Sequence, residues 1–195
     1  ALPSVYNPPS GYLVTANNAV IGADYPYLLT HDWSYGYRSS RIEQLIRAGG
    51  TLDAEAMARI QLDSRNGMAP ELVPFLLPLA TDQWVRGGQD LLRDWDFTQP
   101  PDSAAAAYYN AVWRHLLIRT FNDELHKDAR PDGGDRWFEV VRPLLATPTD
   151  PWWDDVSTQA VRETRDDILL AAMKDARDEL TRLMGKDIGR WRWGT

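Results

Sequence analysis

A mainly α-helical chain with a short strand or loop segment at its start is what the sequence predicts. Three observations carry that expectation. Apolar residues recur at helical spacing through most of the chain after residue 38, and Gly or Asn-Gly stops separate the periodic stretches. Alternating, β-branched sequence is confined to the region around Tyr12–Ala16. No segment recurs at a fixed period, which excludes a repeat array.

Residues 1–12 are rich in Pro, Ser, Asn and Gly, the chemistry of loops. Tyr12–Ala16 reads as a short strand that delivers the amide pair Asn17-Asn18. From Ser39 the pattern turns helical, with Ile42, Leu45 and Ile46 on one face and Gly49-Gly50 as the stop. Thr51 or Asp53 can cap a second helix, whose stripe is Ala56, Met57 and Ile60 and whose end is Asn66-Gly67. Met68–Leu79 is apolar but carries Pro70, Pro74 and Pro78, so a short kinked helix or two turns are expected.

A further helix is expected from about Asp82 to Trp95, with Gly87-Gly88 as a candidate break, followed by a loop from Asp96 to Pro101. Asp102 or Ser103 begins a long helix that runs toward His126 with Tyr108, Val112, Leu116 and Phe121 inside. Asp132-Gly133-Gly134 is a turn, Trp137–Leu145 a helix, and Pro151-Trp152-Trp153 a rigid apolar connector. The last helix is expected from Ser157 to Met184, with Val161, Ile168, Leu169, Ala172, Met173, Ala176, Leu180 and Leu183 as its stripe and Gly185 as its stop. The division expected is a strand and loop segment over 1–37 and a helical domain over 38–195.

With 195 residues and 44% hydrophobic content the chain is long enough for a real core. A net charge of −7 argues against nucleic acid, since phosphate binding needs a concentrated basic face. Zero cysteines exclude disulfides and thiolate metal sites. His31, His115 and His126 are scattered, and no His-Glu-x-x-His helix appears, so zinc chemistry is not indicated. Trp33-Ser34-Tyr35-Gly36 lacks the first glycine of a nucleophile elbow. Gly87-Gly88 and Gly133-Gly134 lack the strand and lysine of a phosphate loop. Asp94-Trp95-Asp96 could be imagined as a glycosidase acid pair, but neighbouring carboxylates usually point to different faces, and a helix end with a buried Trp95 is the simpler reading.

Asn17 and Arg38 remain as candidates. An uncharged amide at a strand end offers NH2 donors to a developing oxyanion, and the plain alternative is a turn device. A guanidinium fixes a carbonyl or carboxylate through a planar fork, and the plain alternative is an arginine paired with a nearby acid. The dipole does not favour a cation in a first helical turn.

The order Gly11-Tyr12, Asn17-Asn18, Tyr25-Pro26, Trp33 and Arg38-x-x-Arg41-Ile42-x-x-Leu45 resembles the β-chain of the penicillin acylase family. Gln61-x-Asp63, Leu92-x-x-Trp95-Asp96, Asp102-Ser103-x-Ala105-Ala106 and Trp191-x-Trp193-Gly194 extend the likeness over nearly the whole chain. These are N-terminal-nucleophile hydrolases that cleave amide bonds to acyl groups. The resemblance implies that Asn17 is the oxyanion asparagine, Asn18 its neighbour and a weaker candidate, and Arg38 the arginine that arranges the site.

The family nucleophile is a serine, or a related residue, leading the β-chain, whereas Ala1 stands first here. The expectation is therefore an internal fragment, inactive alone, whose partners are the remainder of the acylase α- and β-chains and a small N-acyl substrate. Such substrates would be of β-lactam, acyl-homoserine lactone or lipopeptide type. The resemblance further implies a periplasmic or secreted enzyme. No cofactor is expected within this stretch. Calcium is possible in the intact enzyme, with Asp24 or Asp32 as displaced ligand candidates because Leu28 and Leu29 occupy the usual neighbourhood.

The nine tryptophans are compatible with two other classes. A non-catalytic helical interaction domain predicts clustered exposed aromatics. A sugar-binding domain predicts Trp95, Trp152 and Trp153 exposed along one groove.

Overall fold

The computed structural model describes residues 2–194. The chain is mainly helical, with seven α-helices and no sheet or barrel among the described residues. None of these helices is long and apolar enough to cross a membrane. Two compact units are formed, Ala1–Asp63 and Ser64–Thr195.

In the first unit Tyr12–Ala16 is not a strand. A lone parallel bridge joins Asn18 to Ser34, and no neighbouring strand completes a ladder. Helix α1 spans Tyr37–Ala48 and is led by Gly36 at a φ of 87°. Helix α2 spans Ala54–Gln61, capped by Asp53, whose side chain accepts from the Ala56 N–H. It stops well before Asn66-Gly67, because Asn66 serves instead as a side-chain acceptor for the N–H groups of Met68 and Ala69. A bidentate pair from Arg41 to Asp63, at 2.9 and 2.7 Å, ties α1 to the residues that follow α2. Tyr12 is drawn to α1 by its hydroxyl, which donates to Glu43 and accepts from Arg47.

The second unit holds the core. Helix α3 spans Ala69–Leu76 and tolerates Pro70 because that residue sits in the first turn, where an N–H has no helical partner. Helix α4 spans Gln83–Leu91, runs unbroken through Gly87-Gly88 and ends short of Trp95. Buried Gln89 explains how the proline-ended helix before it is closed. Its NH2 donates to the carbonyls of Leu76, Leu77 and Leu79, at the end of α3 where carbonyls run out of helical partners.

Helix α5 spans Ala104–Phe121, capped by Ser103, and eleven of its eighteen residues are buried around its whole circumference. Helix α6 spans Asp135–Leu145. Helix α7 spans Arg165–Met184, starting eight residues later than the periodicity suggests. The reason is local: Thr164 and Asp167 form a reciprocal capping box that begins the helix there. Val161 is left 61% exposed, outside the stripe it was expected to join.

Helices α5 and α7 pack side by side along a ladder of ions. Arg114 and His115 both reach Glu179, the latter at 2.8 Å, and Arg119 reaches Asp175 at 2.6 Å. Burial acts to raise the Glu179 pKa, but hydrogen bonds and charge from Arg114 and His115 outweigh it, and the net shift is downward from 4.5. A depressed carboxylate stabilises the fold above its unfolded pKa and loses that contribution as pH falls through the folded value. In urea titrations the stability gap between wild type and Glu179→Gln is therefore expected to be full at neutral pH and to close progressively below about pH 4.5.

Gly88 marks the tightest approach of α4 to α5. A Cβ built there would lie 2.5 Å from the Tyr108 ring, which is itself fully buried with its hydroxyl donating to the Met173 carbonyl. Gly88→Ala is expected to cost about 1–3 kcal/mol by overpacking, read as a lower urea midpoint. Gly87→Ala, whose Cβ meets Ile188 at an ordinary 3.5 Å, serves as the control.

Candidate functional site

The candidate residues lie in the first unit, where a left-handed residue and a glycine-led helix bring them together. Asn17 holds a φ of 61°. Among residues with a Cβ, Asn is one of the few that visit this region readily. Its carbonyl accepts from the Ser34 N–H at 2.8 Å, which pins the loop before α1 against it. Gly36, left-handed as well, then turns the chain into α1 so that Arg38 falls in the first turn.

From there the Arg38 guanidinium donates through one nitrogen to two acceptors: the Ala16 carbonyl at 3.0 Å and Asn17 Oδ1 at 2.8 Å. Placing a cation against the positive end of a helix is unfavourable, so these two oxygens supply the compensation. A guanidinium has no acceptor, so the amide oxygen must be the atom that faces it. The consequence is directional: the NH2 of Asn17 is turned away from Arg38, on an exposed residue, and it makes no hydrogen bond among the described residues.

Asn18 behaves differently. Its Oδ1 accepts from the Ala16 N–H at 3.0 Å and its Nδ2 donates to the Ala19 carbonyl at 3.1 Å. Both ends of that amide are spent on local backbone. The two plain readings of an Asn-Asn pair thus separate, with the turn device at Asn18 and an unused donor at Asn17. Sequence reasoning did not anticipate Ser34, Gly36 or the Ala16 carbonyl as parts of this arrangement. Only Gly36, standing just before the helical pattern, carried a signal that could have flagged one of them.

The other chemistries weighed on the sequence find no support in the second unit. Asp96 Oδ1 accepts from the N–H and hydroxyl of Thr98, and this capping holds its pKa below the ordinary carboxylate value. Trp95 donates to the Thr98 carbonyl and packs on Phe97 and Tyr109. Trp153 is fully buried and donates to the Thr147 carbonyl, so Trp95, Trp152 and Trp153 do not form a stacking platform. Of the nine tryptophans, Trp113, Trp153 and Trp191 are buried, while Trp84, Trp152 and Trp193 are 36–43% exposed. Asp24 and Asp32 are both exposed. Among the described residues no three His, Asp or Glu side chains group closely enough to hold a metal ion.

Comparison with known proteins agrees with the order of motifs. The family model described as penicillin amidase matches residues 1–195. The chain is 28% identical, over 98% of its length, to the acyl-homoserine lactone acylase QuiP of Pseudomonas aeruginosa, and 27% identical over 96% to QuiP of Pseudomonas putida. It is 29% identical over 78% to penicillin acylase 2 proenzyme of Pseudomonas sp.. It spans about a quarter of the length of the QuiP relatives and a fifth of the penicillin acylase. With a match over its full extent, the chain belongs to the penicillin amidase family.

Proposed function

We propose that this chain forms part of an amidohydrolase that cleaves linear N-acyl amides, and that Asn17 donates to the oxyanion while Arg38 positions it. The observation that carries the reading is the 2.8 Å bond from Arg38 to Asn17 Oδ1, which leaves the amide NH2 aimed outward and unspent. The nucleophile in this reading is an N-terminal serine on polypeptide outside residues 1–195, so the isolated chain is inactive.

The chemistry runs in two steps. The serine Oγ bonds to the amide carbonyl carbon and gives its proton to its own α-amine. The carbonyl oxygen becomes an oxyanion, which the Asn17 NH2 meets at the moment charge develops. Collapse breaks the C–N bond, and the proton passes to the departing amine. Water then adds to the acyl-enzyme ester, and the acid leaves as the serine regains its proton. Arg38 touches none of the reacting atoms and acts through Asn17.

Relatives named for acyl-homoserine lactones and for penicillin support a reading in which the substrate is an N-acylated lactone or β-lactam, with lipopeptides as the further class that the family likeness offers. The family likeness supports a periplasmic or secreted location and partners in the rest of an acylase. Calcium bound by the whole protein would take its further oxygen ligands from outside this chain, and no step depends on it.

The test uses the whole amidase, assayed for release of free acid and amine from an N-acyl substrate. Arg38→Met is expected to lower kcat about ten- to a hundredfold, with KM little changed, because a displaced donor loses transition-state contact before it loses substrate. Arg38→Lys should restore part of the loss. Once Asn17 is already disabled, adding Arg38→Met should cost little more, since both act through one donor. Independent, multiplying effects would refute the positioning role.

A further inference from the structure

The second unit carries a groove that the amide chemistry does not use. It lies beside α5 and α7, where the C-terminal Trp191-x-Trp193 segment and the residues around Pro131 close its sides, and it encloses about 1140 Å³. Ile118, Leu183 and Trp193 line it and are 38, 64 and 43% exposed, so its apolar surface is open to contact. Large apolar side chains left in the open beside a concave surface are available to the apolar side chains of a partner segment.

Charge gives the second clue. The chain as a whole is acidic, at −7, yet this groove is lined by Arg114, Arg130, Arg190 and Arg192 against only Asp132 and Glu179. Glu179 is already taken by Arg114 and His115, and Asp132 accepts from the Gly134 N–H. Arg130 spends one nitrogen on the Asn122 carbonyl, and Arg190 makes no side-chain hydrogen bond or ion pair among the described residues. An apolar floor with a guanidinium rim is complementary to a segment that alternates apolar side chains with carboxylates.

Size selects among the possible occupants. Pockets for drug-sized molecules enclose roughly 300–1,000 Å³ and bury most of their ligand, whereas this groove slightly exceeds that range and is only partly enclosed. The chain spans about a quarter of the relatives it matches, so those proteins carry three times as much further polypeptide. We infer that this groove docks an acidic, apolar segment of the amidase's remaining polypeptide, with Ile118, Leu183 and Trp193 as the floor and Arg130 and Arg190 as the charge readers. The inference rests on the reading of this chain as part of a larger amidase, and not on the roles of Asn17 and Arg38.

The experiment uses the whole amidase with a photo-crosslinking benzoylphenylalanine in place of Leu183 or of Ile118. Mass spectrometry is expected to find both probes joined to one stretch outside residues 1–195 that mixes Asp or Glu with apolar side chains. Arg130→Glu with Arg190→Glu should lower that yield roughly tenfold or more, since like charges then face each other, and Arg190→Lys alone should keep it. Three outcomes overturn the proposal: no crosslink from either probe, crosslinks only to a stretch without carboxylates, or saturable binding of decanoate in the groove without any crosslink. Turnover of the N-acyl substrate, measured alongside, reports on the catalytic reading separately.

Discussion

Asn17→Asp in the whole amidase is expected to lower kcat roughly 10²–10³-fold, about 2.7–4 kcal/mol of transition-state stabilisation, while folding is unchanged. The substitution is chosen because it separates donor from shape. Aspartate keeps the size of asparagine, tolerates a φ of 61°, and still offers Arg38 an oxygen at the 2.8 Å position. What disappears is the NH2. In its place stands a second carboxylate oxygen facing the site of a forming oxyanion, where a donor is replaced by a repelling charge.

Asn17→Ala is a poorer probe, since alanine resists the left-handed conformation and mixes backbone strain with the lost donor. Asn17→Gly removes the amide without that strain and should lose a similar amount of kcat. Urea midpoints of the Asp and Gly variants close to wild type, together with the loss of turnover, are the expected pair of results. A kcat for Asn17→Asp within about threefold of wild type would remove the oxyanion role, because a lost oxyanion donor has a far larger effect.

The largest expected effect on stability comes from Trp191→Ala, about 3–5 kcal/mol for the loss of a buried aromatic. Trp191 is fully buried, stacks on Tyr108 at 6.3 Å between ring centres, and donates its indole N–H to the Gly185 carbonyl. It also forms one side of an unusual cage. Arg177 on α7 is only 7% exposed and forms no ion pair among the described residues. Its guanidinium lies 4.3 Å from the Trp84 ring and 4.8 Å from the Trp191 ring.

Burial holds the Arg177 pKa below the ordinary value, and its Nη1 has no hydrogen-bond partner. Two indole faces, together with the Trp84 and Lys186 carbonyls that accept from its Nε and Nη2 at 3.2 and 3.4 Å, supply the attraction that solvent or a carboxylate would otherwise provide. Deleting Trp191 therefore opens a cavity and removes one of the groups that compensate a buried cation, and those penalties act in the same direction. In hydrogen exchange on the whole protein, α4, α7 and the Trp191 segment should lose protection together. Trp191→Phe, which keeps an aromatic face and loses only the N–H, should recover most of the stability. Trp152→Ala, at a site 36% exposed, should cost much less.

Some of this was legible in the residues before any coordinates. The helical class follows from spacing alone, because a stripe such as Ile168, Leu169, Ala172, Met173, Ala176 and Leu180 can be buried together only on a helix. The stops at Gly49 and Gly185 were readable for the same reason, and the caps to within two candidates each, Thr51 or Asp53 and Asp102 or Ser103, of which the fold uses Asp53 and Ser103: each is a local solution to unpaired backbone groups. Element ends decided by competing side chains were not readable in this way. Thr164 and Asp167 start α7 where periodicity alone would not, and Asn66 caps the next helix instead of ending the previous one.

Asn17 and Arg38 were named from motif order, but which end of the amide would be free was not in the sequence. That depends on a left-handed φ, on a Ser34 N–H seventeen residues away and on a guanidinium that can only donate. By itself, then, the sequence determined the helical class, the family likeness and the two residues to examine, because local spacing and motif order are properties of neighbours along a chain. Tertiary structure alone decided where the Asn17 NH2 points, that Arg177 is held by two tryptophans, and that four arginines meet at one apolar groove. Those are distances between residues far apart in sequence, and only folding brings such groups within a few ångströms.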